Sequence, residues 1–275
     1  MPSTFLASAL IVLAVLGIIL YFIFRPRPLL PKPQIKPIWR KILREKVAYY
    51  QTLNEADRLE FEERMQLLLQ RVKITGIETE VEEMDKVFVA ASGVIPTFGF
   101  PQWNQYPKLN EVLLYKTHFR QGDFATEGED RRIAGMVGGG FMNGKLLLSK
   151  PSLRQGFLRD GNGNTGVHEF VHLLDKADGD TNGIPAYFME NAYVVPWLEM
   201  VRSEMEAIER GSSDIDAYAT TNKAEFFAVV AEYFFNQPEA FADHHPRLFS
   251  LMEQVFQQDM DGDGRAGSID GEVIP

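Results

Sequence analysis

The sequence predicts an α+β domain, mainly helical with a small sheet, preceded by one transmembrane helix. Three observations carry that expectation. Residues 5–24, FLASALIVLAVLGIILYFIF, form an uncharged apolar run. Beyond residue 39 most of the chain repeats its apolar residues at helical spacing. Short β-rich runs at 111–115 and 135–149, the second with an Asn-Gly turn at Asn143 and Gly144, supply a few strands.

Twenty uncharged residues at helical rise span roughly 30 Å, the hydrocarbon core of a bilayer. A cleaved signal peptide is the rival reading. The preceding MPST carries no positive charge, the apolar run is long for a signal, and no small-x-small cleavage site follows it. Arg25, Arg27, Lys32, Lys36, Arg40, Lys41, Arg44 and Lys46 come next, so the positive-inside rule places everything after the span in the cytoplasm. The expected location is the inner membrane, crossed once, with the folded domain on its cytoplasmic face.

The net charge of −10 divides unevenly: residues 25–47 carry +7 and the remainder −17. An acidic domain argues against nucleic-acid binding. The chain has no cysteine. That excludes disulfides, iron–sulfur clusters and thiol nucleophiles, and leaves His, Asp and Glu to hold any metal.

Five prolines in residues 25–37 favour an extended spacer, so the organisation reads as anchor 1–24, basic Pro-rich linker 25–38, folded domain 39–258 and acidic tail 259–275. Within the domain, helices are expected at 39–50 and 55–73, the second capped by Asn54, and at 82–95, ending near Gly93 and Pro96. EVLLY at 111–115 reads as a strand. Residues 135–149 read as a hairpin, whose second strand, Lys145 to Ser149, is the expected free edge for an extended peptide. Further helices are expected at 163–176, 186–209, 222–236 and 245–258.

His168, Glu169 and His172 form H-E-x-x-H. On a helix, residues four apart share a face, so both imidazoles reach one tetrahedral ion and Glu169 stands beside the remaining position as general base. The plainer reading is that both histidines border an apolar face and are hydrogen-bonded there. A catalytic zinc needs a third protein ligand, and the long metzincin spacing fails because its Gly and third His fall at Asp175 and Asp178. Glu225, in the apolar helix of 222–236, is the candidate, although a capping box with Asn222 also explains its position. Glu232, two turns on and equally surrounded by apolar residues, has no such explanation. Two carboxylates on one apolar helix favour a metal site. Asp175 and Glu232 are candidates to accept the second ring N–H of a ligating histidine. Tyr218 could donate to a developing oxyanion. An arrangement with Asp178 or Asp180 as third ligand is the alternative.

HEFVHLLD, AEFFAVVAEYFF, the tyrosine seven residues before Glu225, GKLLLS, AASGVIPTFGF and LLYKTHF resemble the Mlc titration factor A family of glucose-regulated zinc metallopeptidases, over roughly residues 39–258. The resemblance implies a zincin-like fold related to the catalytic domain of anthrax lethal factor. It implies zinc held by His168, His172 and Glu225, with Glu169 as base and Tyr218 at the site. The expected activity is hydrolysis of peptide bonds in a peptide or protein substrate, and the expected further partner is a regulatory protein. The membrane span and acidic tail depart from the soluble pattern of that family. The alternative function is a catalytically weak module that senses or sequesters a regulatory protein.

DMDGDGRAGSID at 259–270 places Asp259, Asp261, Asp263 and Asp270 at positions 1, 3, 5 and 12 of an EF-hand-like loop, a candidate calcium site. It departs in Asp270, where a bidentate Glu is usual, in Ala266, and in lacking an exit helix. A solvated acidic tail is the competing reading. DGDTNG at 178–183 and DGNGN at 160–164 read as turns that stop and start the H-E-x-x-H helix.

Overall fold

Apolar periodicity dominates what forms. The computed structural model describes residues 35–100, 106–119, 134–138, 143–158, 163–179, 181–184 and 191–260. Ten helices and a four-stranded sheet form among these residues. The apolar run at 5–24 and most of the 259–275 tail lie outside the described residues, and among the described residues no helix is long and apolar enough to cross a membrane.

The first expected helix is two, α1 (Pro37–Lys46) and α2 (Ala48–Thr52), separated by an extended Val47 with φ −111°. Val47, Tyr49, Tyr50 and Leu53 are all buried. One continuous helix would carry Tyr49 away from the face that holds Val47 and Tyr50, so the break serves burial. α3 (Glu55–Arg71) begins as expected, with Asn54 Oδ1 accepting the Asp57 N–H at 3.0 Å. Arg40 forks onto buried Glu62 at 2.7 and 2.6 Å, tying α1 to α3.

The helix expected to run to residue 73 stops at Arg71, and Lys73–Ile77 becomes β1, which no reading of the sequence anticipated. β1 pairs in parallel with β2 (Glu111–Tyr115), and β2 pairs in parallel with β4 (Lys145–Ser149). β3 (Gly135–Val137) runs antiparallel to β4, so the sheet order is β1-β2-β4-β3. The expected antiparallel pair of 135–149 is present. Its Asn143–Gly144 turn, with Gly144 at φ 81°, leads into β4 at the end of a longer connection. The expectation that Lys145–Ser149 is a free edge is wrong: β2 and β3 flank β4, and among the described residues the edges are β1 and β3. A short run of three leucines is buried on both faces because it is interior.

The two sheet faces differ. Val112, Leu114, Leu146 and Leu148 enter the main core under the helices, while Leu113, Tyr115, Phe119 and Leu147 form a second small cluster. α4 (Glu83–Val94) is buried from Val87 to Val94 and forms the centre of the main core. α5 (Lys150–Leu158), also unanticipated, follows β4 directly. The remaining helices are α6 (Thr165–Asp175), α7 (Asn191–Glu209), α8 (Lys223–Asn236), α9 (Pro238–His244) and α10 (Pro246–Phe256). The expected start of α7 at 186 falls in residues outside the description, and α9 is an extra short helix between two prolines. α6 crosses α4 closely: a Cβ at Gly166 would stand 2.1 Å from Ser92 Oγ. That approach, with Val167, Phe170, Val171 and Leu174 buried, seats α6 in the core.

Candidate metal centre

α6 carries the H-E-x-x-H residues on a helix that is well capped and mostly buried. Asn164 Oδ1 accepts the Val167 N–H at 3.1 Å, satisfying one of the free donors at the helix start. His168 and His172 then project one turn apart, their rings 4.7 Å between centroids and 81° between planes. α8 packs against them from the other side. Asn222 Oδ1 accepts the Glu225 N–H at 3.0 Å, so the capping interaction expected at this helix start is real. It leaves the Glu225 carboxylate free to reach across to α6.

Glu225 Oε2 lies 3.0 Å from His168 Nε2 and 3.4 Å from His172 Nε2, and the two Nε2 atoms are 3.1 Å apart. Among the described residues these three form the group able to converge on one ion. Tetrahedral zinc at about 2.0–2.1 Å from nitrogen and oxygen ligands separates the ligand atoms by roughly 3.3 Å. Two imidazole nitrogens and a carboxylate at these spacings therefore fit zinc. The side chain of Asp178, and Asp180 altogether, lie outside the described residues.

Glu232 stands behind His168. Its Oε1 is 2.6 Å from His168 Nδ1, and its Oε2 accepts the Asn164 backbone N–H in a short hydrogen bond. A carboxylate on Nδ1 fixes the tautomer that presents the Nε2 lone pair forward. Asp175 does not play the matching part for His172. Its carboxylate accepts the Gly183 N–H at 2.9 and 3.1 Å, closing the loop after α6, and His172 Nδ1 has no hydrogen-bond partner among the described residues.

Burial opposes charge on His168, but its hydrogen bonds to Glu225 and Glu232 outweigh it and raise the imidazole above its ordinary value. Burial likewise opposes charge on Glu225, and the two histidines hold its carboxyl at about 2. Glu169 moves the other way: burial, with the nearby charges of Glu225 and Glu232 against the two histidines, raises its carboxyl. Its Oε2 is buried without a hydrogen-bond partner among the described residues. Its other side rests on β3, where a Cβ at Gly135 would stand 2.6 Å from Glu169 Cγ and 2.7 Å from Oε1. Only glycine leaves room for the carboxylate there.

Tyr218 sits on a 3-10 turn, Ala217–Thr220, just before α8. It is 55% exposed, its ring centroid is 6.3 Å from that of His168, and partial burial with the charges of Glu225 and Glu169 raises its phenol. The geometry thus brings His168, His172, Glu225, Glu169, Tyr218 and Glu232 together. Asp259 lies past the end of α10, near the last described residue, and Asp261, Asp263 and Asp270 lie outside the described residues, so nothing supports the calcium reading. Sequence reasoning missed Asn164 and Gly135. Asn164 has a readable signal as a helix cap; Gly135 has none, because its partner is 34 positions away in Glu169.

An H-E-x-x-H helix crossed by a Glu-bearing helix, with a small sheet alongside, defines a metallopeptidase-like domain. The chain belongs to the glucose-regulated metallo-peptidase M90 family, whose model matches residues 24–257. An uncharacterised protein of Synechocystis sp. is 28% identical over 271 residues, covering 91% of this chain and 97% of the relative. Mlc titration factor A of Escherichia fergusonii is 32% identical over 164 residues and that of Escherichia coli strain 55989 is 34% identical over 166, each alignment covering 54% of this chain and 60% of the relative.

If Glu232 sets the His168 tautomer, Glu232→Gln should weaken zinc binding by about 10–100-fold, measured by competition with a chromogenic chelator. Unchanged affinity would reduce Glu232 to a packing residue.

Proposed function

We propose that this protein is a membrane-anchored zinc peptidase that hydrolyses peptide bonds on the cytoplasmic side of the membrane. One observation carries the enzymatic part: Glu169 is a buried carboxylate whose Oε2 has no hydrogen-bond partner among the described residues, adjacent to a His/His/Glu donor group. A buried polar group without a partner costs on the order of 1–3 kcal/mol, and a charged one more. A purely structural glutamate would be replaced or paired at that cost, whereas a general base must keep an oxygen open for the proton it takes.

His168, His172 and Glu225 would hold the zinc. When bound, it supplies Lewis acidity, polarising a peptide carbonyl and lowering the pKa of a water toward neutrality. Glu169 accepts the proton of the attacking water at Oε2 and later delivers it to the leaving amine. Burial raises its carboxyl, which makes it a better proton acceptor than an exposed glutamate. Tyr218 donates its phenolic O–H toward the oxygen of the attacked carbonyl, and its raised pKa keeps that hydrogen in place at neutral pH. Glu232 orients His168 throughout.

The substrate is a peptide or protein segment in extended form. β3 pairs with β4 on one side, and Gly135 at its start touches Glu169. A peptide strand added beside β3 would run its carbonyls past the base. The anchor is the uncharged run at 5–24, which lies almost wholly ahead of the family match beginning at residue 24. A second reading, a weakly catalytic module that sequesters a regulatory protein, draws on the name of the titration-factor relatives. The presence of Glu169 favours the enzyme, since a binding module has no use for a base.

Glu169→Gln should keep its zinc and lose about 10²–10⁴-fold in kcat on a peptide library. Full activity in that variant would end the peptidase mechanism. For the anchor, a C-terminal reporter fused to the full chain should be active only in the cytoplasm, and activity restricted to the outer side would reverse the topology.

A further inference from the structure

Two of the five histidines, His244 and His245, stand apart from the metal centre and converge on Asp214. Asp214 lies in the segment between α7 and the 3-10 turn that carries Tyr218. Its Oδ2 accepts the Tyr233 hydroxyl at 2.7 Å and faces His244 Nδ1 at 2.6 Å, while Oδ1 faces His245 Nε2 at 2.6 Å. The second nitrogen of His245, Nδ1, is 3.4 Å from Glu204 Oε2 on α7. His245 therefore has a carboxylate at each ring nitrogen. A neutral imidazole owns one N–H and would turn a bare lone pair toward one of them, so only the imidazolium satisfies both.

The groups facing His245 come from every packed element. Glu204 approaches from α7, Asp214 from the loop, Tyr233 from α8 with ring centroids 6.3 Å apart, and Phe241 from α9 at 5.7 Å. His244 shares Asp214 with it. The His245 side chain is 9% exposed and that of Glu204 20%, whereas Asp214 is 42% exposed, so solvent screens the Asp214 pair more than the Glu204 pair. The Glu204 hydrogen bond, against partial burial and with help from Asp214, raises the His245 pKa. Burial opposes the Asp214 charge, but Tyr233, His245 and His244 hold its carboxyl at about 2.

The knot ties α7, α8 and the α9–α10 junction to one loop, four residues ahead of Tyr218. Asp216 Oδ1 accepts the Tyr218 N–H at 2.8 Å, so the phenol's backbone is fixed to the end of that loop. Tyr218 itself is largely exposed and takes its position from its backbone.

We propose that Asp214, held by protonated His245 with Glu204, is a positioning residue that keeps the Tyr218 segment beside the metal centre, and that loss of the His245 proton releases it. Its catalytic consequence rests on the peptidase reading; the tether itself does not. The sign follows from the directions of the shifts. The His245 contribution is fully present below its ordinary value of 6.5 and is lost as pH rises through the raised folded value. The Asp214 contribution is present above its ordinary 3.8 and is lost as pH falls toward about 2.

Hydrogen–deuterium exchange with peptide mapping on the full chain reads the tether without any need for activity. In Asp214→Asn and in His245→Gln, amides of residues 212–220 should exchange about tenfold or more faster, with those of α6 unchanged. His245→Gln carries the test alone should Asp214→Asn fail to fold. Unchanged exchange at 212–220 overturns the proposal whether or not the protein cleaves peptides. In steady-state kinetics Asp214→Asn should lower kcat about tenfold with little change in KM, and should add nothing in a Tyr218→Phe background. A full further loss in that background would show that Asp214 acts elsewhere and would overturn the positioning role. Wild-type protein with no Glu169-dependent hydrolysis would end the peptidase reading, with the exchange result still deciding the tether.

Discussion

The site depends on the burial of two α8 carboxylates against the histidines of α6. Glu232 is 9% exposed within an otherwise apolar helix face, where an unpaired charge would cost several kcal/mol. It is tolerated because the Asn164 N–H and His168 Nδ1 both face it. The division of labour is quantitative. Val167, Phe170, Val171 and Leu174 each contribute about 1.5–3 kcal/mol on full burial and decide that α6 docks. The Glu232–His168 pair contributes less net energy but is directional, so it decides how α6 is rotated and which way the histidine points.

The same logic places the proposed base. Glu169 follows His168 in sequence and so points away from the α8 carboxylates, toward β3. Among the described residues the sheet's order makes β3 an edge, and its first residue is the glycine that leaves space for a carboxylate. The candidate metal donors therefore come from helix–helix packing, while the proposed base and the surface where a peptide could lie come from helix–sheet packing. Interior β4 supports both by holding β3 in register, Gly135 opposite Leu148.

Much of this was legible because it is local. H-E-x-x-H spacing, the Asn54 and Asn222 caps, the leucine-rich strand and the carboxylates stranded on the 222–236 helix all read directly from short windows. What did not read depends on partners distant in sequence. Lys73–Ile77 has weak strand character and becomes β1 through pairing with β2, which also demotes Lys145–Ser149 from edge to interior. Asp175 looked like a histidine partner by proximity, yet the loop folds back and Gly183 claims its carboxylate. His244 and His245 give no signal in sequence, because Glu204, Asp214 and Tyr233 lie on three other segments.

The central claim is that His168, His172 and Glu225 form one zinc site. Elemental analysis of the purified full chain and of Glu225→Ala, after equal exposure to zinc and removal of the excess, tests it most directly. The account predicts about one zinc per wild-type chain and markedly less in the variant. Wild-type protein that holds no zinc after reconstitution, or a variant that retains it fully, would contradict the account.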